Sequence, residues 1–284
     1  MESIPEYGSL EILLSCMNEA DFSIVYRTKI HTNILIVNQI NLKNGLFDQL
    51  QIERKVCGNF RREYNIRKID TPTHGLSVSR NIALRHAEGS ICLLCDDDEI
   101  LDDNYETTIL NAYKKYKDAD IICFRMSNQP SRLKQVPQRL NQWTVLRIAS
   151  WQISFRRDSI LRAGILFDEL LGAGTGNGAG EEVKFLRDCV KSGLHLYYVP
   201  DNIGKVKQEK STWFKGYDKD FFYKRGITNR YIFGPFVATL YAGYYSIVKW
   251  RLYKRNMTMW QAFYYTMQGI IANDIVKEKK NRSK

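Results

Sequence analysis

Apolar residues in the first half of the chain fall into short runs separated by helical patterns. Glu11–Cys16, Ile34–Val37 and Ile66–Ile69 read as strands, and Ile91–Cys95 and Ala119–Met126 as two more. Between them, Leu76–Ala87 and Asn104–Tyr116 carry helical spacing, the former closing at Gly89. Strands alternating with helices predict βαβ units and a mostly parallel sheet. Continuous apolar runs, rather than strict alternation, fit strands covered on both faces. From Ser127 to Asn141 the pattern lapses into a polar, basic loop of a length that is usually functional or mobile. Trp151–Arg156 and Ser159–Ala163 resume it. Gly172–Gly180 then has glycine at every second position, predicting a loop whose backbone moves or approaches a ligand. It lacks the Gly-Lys-Ser/Thr of a phosphate-binding P-loop. Val183–Ser192 reads as a helix closed by Gly193, and Leu194–Pro200 as a final strand.

Beyond Lys205 the alternation stops. Tyr231–Tyr253 and Met259–Ile275 read as long helices rich in Tyr, Phe and Trp, with Lys249, Arg251, Lys254 and Arg255 near the end of the first. Two domains are therefore expected, 1–204 and a helical segment 205–284. Charge sharpens that division. The chain carries +11 overall, yet residues 205–284 hold 17 Lys and Arg against 5 Asp and Glu, a net +12, which leaves the first 204 residues at −1. Such asymmetry points to an anionic partner. Aromatic rings interleaved with cations favour a membrane surface, although they also suit single-stranded nucleic acid. Two ordinary helices packed on the body are the bland alternative. The 44% hydrophobic and 26% charged content is that of a globular protein. No run reaches the roughly 18 apolar residues of a spanning helix, and Met1–Tyr7 lacks signal-peptide character. The six cysteines show no disulfide framework. Cys92 and Cys95 form a C-x-x-C inside a strand candidate, which reads as buried thiols in a reducing compartment.

The chemistry concentrates in Asp96-Asp97-Asp98-Glu99, directly after the Ile91–Cys95 strand. Ligands of open α/β sheets bind at the carboxyl ends of strands. Adjacent carboxylates there suit a hard divalent ion shared with a diphosphate. The alternative is a solvated acidic turn capping the next helix. A second acidic pair, Glu181-Glu182, follows the glycine loop and reads either as a catalytic pair or as the first turn of a helix, where acids are favoured.

Three blocks in order resemble the family 2 glycosyltransferases: Gly75-Leu76-Ser77-Val78-Ser79-Arg80-Asn81, then Gly89-Ser90 leading to Asp96-Asp97-Asp98, then Gly180-Glu181-Glu182 with Phe185-Leu186 and Tyr198-Val199-Pro200-Asp201. The resemblance covers roughly residues 10–205. It implies a GT-A type, Rossmann-like α/β fold with a mixed, mostly parallel sheet flanked by helices, here with a C-terminal helical basic and aromatic extension. It implies a metal-dependent, inverting transfer from a nucleotide sugar, most simply a UDP-sugar, with Mn²⁺ or Mg²⁺ as cofactor. The expected acceptor is a glycan or lipid-linked glycan in cell-surface polysaccharide synthesis, met on the cytoplasmic face of the membrane by a peripheral enzyme that does not use nucleic acid. By the same resemblance Asp96 contacts the nucleotide and, with Asp98, the metal. Asn18, Asn38, Ser77, Arg80, Asn81 and Asp97 join the donor site, and either Glu182 or Glu181 is the base. Gly178, Gly180 and Trp213 are expected at the acceptor or a lid.

The departures are equally specific. The second acid is Glu182 where the family has Asp. Met17-Asn18 stands near the first strand in place of Tyr-Asn. Asn38-Gln39 replaces the aspartate that reads the base. No histidine follows the Val-Pro-Asp block, where Gln208 or Glu209 stands instead. The alternative to an enzyme is a non-catalytic basic membrane- or nucleic-acid-binding protein on a degenerate transferase fold.

Overall fold

The computed structural model describes residues 8–41, 52–59, 62–177, 179–207 and 216–275. The chain divides into two compact units, one of residues 1–168 and 181–209, the other of residues 169–180 and 210–284.

The first unit is built on one ten-stranded sheet. Its strands are β1 (Leu10–Met17), β2 (Asn33–Gln39), β3 (Ile52–Asn59), β4 (Arg62–Thr71), β5 (Ile91–Asp96), β6 (Glu99–Leu101), β7 (Ile121–Met126), β8 (Gln138–Arg139), β9 (Ile153–Arg156) and β10 (Leu196–Val206), in the order β3-β4-β2-β1-β5-β9-β7-β10-β6, with β8 beside β10. Strands β4, β2, β1 and β5 pair in parallel, as do β7 and β10. Between these two groups β9 runs antiparallel to both neighbours. The expected mostly parallel sheet is present, with antiparallel β3, β6, β8 and β9 added.

Alternate residues of each parallel strand enter two separate cores. Ile12, Leu14, Ile34, Ile36 and Leu93 pack on one face with Ile24 and Val25 of α1 (Ile24–Arg27) and with Tyr105, Ile109 and Tyr113 of α3 (Tyr105–Lys115). Leu13, Leu35, Val37 and Leu94 pack on the other with Ile82 and Leu84 of α2 (Leu76–His86), Ile160 of α4 (Arg157–Ala163), and Phe185, Leu186 and Cys189 of α5 (Glu181–Lys191). Both faces are covered, which is why these strands read as unbroken apolar runs. At the amino-terminal edge, buried Glu11 accepts from Arg67 Nη2 at 2.5 Å and from the Glu88 and Gly89 amides at 2.6 and 2.8 Å, so the charge is fully paired.

The second unit holds the glycine loop and three helices, α6 (Lys219–Val248), α7 (Trp250–Tyr253) and α8 (Met259–Ala272). α6 starts twelve residues before the expected Tyr231, where Asp218 caps it by accepting from the Phe221 amide at 2.8 Å. It is broken at Gly234 (φ 81°, ψ 169°) ahead of Pro235, whose missing N–H interrupts the ladder. α6 and α8 cross backbone to backbone. A Cβ on Gly226 would lie 2.1 Å from the Thr266 carbonyl oxygen, and one on Gly269 would lie 2.0 Å from that of Tyr223. The aromatic residues divide in two. Phe222, Tyr245 and Tyr253 pack with Tyr217 and Phe221 inside the unit, and the Arg225 guanidinium sits 3.9 Å from the Tyr245 ring centre. Phe236, Leu240, Tyr244, Ile247, Trp250 and Trp260 are exposed. No helix among the described residues is long and apolar enough to cross a membrane.

Candidate active site

The carboxyl ends of β4, β2, β1 and β5 form one edge, and their register aligns Asp70 with Asn38, Asn38 with Cys16, and Ser15 with Asp96. Asp96 ends β5, Asp97 and Asp98 make the turn, and Glu99 opens β6. Glu99 thus begins a short strand, and the helix expected from about Asn104 follows it as α3. Its buried carboxylate accepts from the Asp96 amide at 2.9 Å and closes the turn.

The central element is Arg80. Fully buried on α2, it donates through Nη2 to both Asp96 oxygens at 3.1 and 3.2 Å and through Nη1 to Glu181 at 3.2 Å. One guanidinium therefore joins Asp96 and Glu181, two acidic motifs 85 residues apart in sequence. Burial works against its charge, but Asp96, Glu181 and Glu182 outweigh burial and hold it protonated. The neighbouring carboxyls shift the other way. Glu182, half-buried at the start of α5, is pushed up to about 8 by burial and by Glu181 beside it. Glu99 lies well above its ordinary value through burial and the Asp96 charge, and Asp97 is raised by loss of solvation and by Asp96. One cation serves an excess of carboxylates.

The other expected residues take distinct places. Asn81 Nδ2 donates to the Phe167 carbonyl at 2.9 Å and its Oδ1 accepts from the Phe167 amide at 2.8 Å, so its amide holds backbone. Ser77 is fully buried at the start of α2. Asn18, in the left-handed region (φ 54°), accepts from the Asn41 amide at 3.0 Å at the end of β1. Asn38 is fully buried and bonded to Glu19 and Asp70. In the second unit, Gly172, Gly174, Gly176 and Gly180 all have positive φ, and the turn closes on itself through Asn177 Nδ2 to the Leu170 carbonyl at 3.1 Å. A Cβ at Gly180 would meet Ile232 at 2.9 Å and Thr228 at 3.0 Å. Gly178, Gln208, Glu209 and Trp213 lie outside the described residues. Two residues passed over in the sequence stand at the same edge: Asp70, which ends the Ile66–Ile69 run as Asp96 ends Ile91–Cys95, and Lys68 beside it. The carboxyl-end rule that selects Asp96 selects Asp70 equally.

Among the described residues, no three His, Cys, Asp or Glu side chains are grouped to hold a metal ion. The donor set still fits a hard cation of the Mg²⁺ or Mn²⁺ kind, which commonly takes one or two carboxylates and completes its shell with substrate phosphates and water. Asp97 and Glu99 are raised first by burial and then by the Asp96 charge, and a bound cation would offset the latter.

The mixed, mostly parallel α/β sheet flanked by helices is a fold of the GT-A type. Residues 49–168 match the Glycosyl transferase family 2 model. Among solved structures, residues 1–349 of S. aureus TarS in complex with UDP-GlcNAc match with a TM-score of 0.59 at 12% identity, over 97% of this chain and 92% of that one. The UDP complex matches at 0.55 and 12%, over 97% and 91%. A longer TarS structure matches at 0.55 and 12%, over 94% of this chain and 54% of that one. At this identity the likeness is one of fold. A comparison with curated proteins finds no match.

Proposed function

We propose that this chain is a glycosyltransferase, which takes a UDP-sugar and transfers the sugar, with inversion at the anomeric carbon, to an acceptor hydroxyl, with Glu182 as the base. The observation that carries this reading is the division of labour around Arg80. Glu181 is engaged by the guanidinium, while Glu182 keeps a carboxyl raised to about 8, the range in which a carboxylate accepts a proton effectively near neutral pH. Asp96 is held by the same guanidinium. Asp96 and Asp98 would hold the divalent ion, which when bound neutralises the departing diphosphate. In the reaction the acceptor oxygen bonds to C1, the bond from C1 to the diphosphate oxygen breaks, the hydroxyl proton passes to Glu182 and UDP leaves. A UDP-linked donor is supported by the fold shared with TarS, solved with UDP-GlcNAc and with UDP. The test is sugar transfer and UDP binding by Glu182→Gln. We expect turnover to fall about 10²–10⁴-fold with UDP affinity kept; wild-type turnover would overturn the assignment.

The acceptor side of the reading is a glycan carried on lipid at an anionic membrane surface. Its support is the outward face of α6, where Phe236, Leu240, Tyr244 and Ile247 recur at helical spacing and are exposed, followed by Lys249, Arg251, Lys254 and Arg255. Apolar residues rimmed by cations suit the interface of an anionic bilayer.

A further inference from the structure

We propose that the basic loop between β7 and β9 holds the acceptor, and that this acceptor is an acidic glycan whose repeats bear phosphate or carboxylate groups; this rests on the transferase reading above. Residues 121–157 contain seven Lys and Arg and no Asp or Glu, within a stretch of 204 residues that carries −1 overall. The loop is ordered from within. Leu133, Leu140, Val145 and Ile148 are buried in the core that also takes Phe185 and Leu186 of α5. Asn141 Oδ1 accepts from the Trp143 and Thr144 amides at 2.9 and 3.0 Å and fixes the turn between them. With the apolar positions inside, Arg132, Lys134, Arg139 and Arg147 are all exposed, and among the described residues none of the four is in an ion pair.

Arg147 Nη1 donates to the Arg132 carbonyl at 3.2 Å, which holds two cationic residues side by side with no acid between them. Like charges fixed together repel, and a bound anion relieves that repulsion. Arg125, in β7, spends Nη1 on Gln135 Oε1 at 3.2 Å, while its buried Nε has no partner. The loop is also tied to the candidate catalytic residues. Arg187 of α5, the helix that opens with Glu181 and Glu182, donates through Nη1 to the Gln142 carbonyl at 2.9 Å. Its guanidinium lies 5.7 Å from the ring centre of Trp143, which is 58% exposed. Further along, Ser150 Oγ donates to Asp96 Oδ2 at 3.5 Å, and Arg147 is only three residues away, at most about 11 Å along the chain.

The spread of these cations selects the ligand. Arg139 lies in β8, which stands four strand spacings from β5, about 19 Å. A single diphosphate is too short for charges distributed over that distance, whereas a chain with repeated anions follows them outward from the site. Three of the four exposed cations are arginines, whose planar fork matches the paired oxygens of phosphate or carboxylate. Trp143 adds an apolar face on which a sugar ring can lie.

The test is binding of the full chain to alginate, phosphomannan and neutral dextran by titration calorimetry, with UDP in Mn²⁺ measured alongside. The variants are Arg132→Gln with Arg147→Gln, and Lys134→Gln with Arg139→Gln. Lys254→Gln with Arg255→Gln removes the same charge from the other unit. We expect an acidic glycan to bind wild type more tightly than dextran and to weaken as salt is raised. Each loop pair should weaken it about 10–100-fold, with UDP affinity kept and the Lys254 and Arg255 pair like wild type. A preference for alginate assigns carboxylate, and one for phosphomannan assigns phosphate. Acidic glycans bound no better than dextran, or weakened equally by all three pairs, overturn the inference and leave the transferase reading standing. Tighter binding of poly(dT) or of phosphatidylserine vesicles, lost in the same loop pairs, overturns the glycan assignment. Wild type binding no UDP overturns the donor reading, and with it the acceptor role given to the loop.

Discussion

Arg80 and Asp96 form a two-oxygen contact, Nη2 lying 3.1 and 3.2 Å from the carboxylate, while the same guanidinium reaches Glu181. Removing it leaves buried acids without their cation. Arg80→Ala is therefore expected to destabilise the protein by about 3–5 kcal/mol. Arg80→Lys keeps the charge but not the fork, since a single ammonium lacks the guanidinium's planar set of donors. We expect it to fold, with donor affinity and turnover both reduced. Denaturant titration and steady-state kinetics check the pair; wild-type kinetics in Arg80→Lys would remove Arg80 from the site.

Glu182 has a raised carboxyl in the folded chain, so the native state binds a proton that the unfolded state has released between pH 4.5 and about 8. Stability from this group is present below about pH 4.5 and declines as pH rises toward 8. Activity runs the other way, because only the ionised form accepts the acceptor's proton. Turnover should rise with pH through the Glu182 ionisation, and Glu182→Gln should lose that limb and raise the melting temperature relative to wild type above pH 8. Melting curves and rate profiles from pH 5 to 9 measure both; a Glu182→Gln melting profile parallel to wild type would contradict the assignment.

Gly226 and Gly269 sit where α6 and α8 meet with no room for a side chain. Gly226→Ala and Gly269→Ala each force a Cβ to about 2 Å from a backbone oxygen. The expected loss is about 3 kcal/mol each, at the upper end of overpacking, whereas Gly243→Ala, with open space around its Cβ position, should be neutral or stabilising. Thermal unfolding of the three variants provides the comparison.

For the outward face of α6, sedimentation with vesicles gives a direct reading. Binding to phosphatidylserine-containing vesicles should exceed binding to neutral ones and weaken as salt is raised. Leu240→Glu with Ile247→Glu should abolish it. Equal affinity for both vesicle types, or none, would refute the membrane role.

Much of the first unit is legible from the apolar runs because its central strands are buried on both faces. What escaped detection has local causes. β3 is an edge strand with Glu53, Arg54 and Lys55 exposed, so it carries no apolar run. β10 was expected to end at Pro200 but continues to Val206 through register shifts after Tyr198, which accommodate a residue with no amide hydrogen. The start of α6 escaped because Lys219–Arg230 mixes polar and apolar residues without a clean face. In the site, the acidic motifs stand out by type and spacing. The bond from Arg80 to both of them joins residues too distant in sequence for any pattern to link, and Asp70 was missed because its strand was read as ending at Ile69.

Arg80 and Asn81 are neighbours on α2, and they grip the two places where the chain leaves and re-enters the first unit. Asn81 holds Phe167 through a pair of backbone bonds, and Arg80 holds Glu181. The excursion between, residues 169–180, belongs to the other unit. With both stems fixed, lengthening that excursion burdens the sheet only through loop-closure entropy, about 0.6 kcal/mol for each doubling. The segment is thus a graft point: the residues between the two stems can be exchanged without rebuilding the sheet.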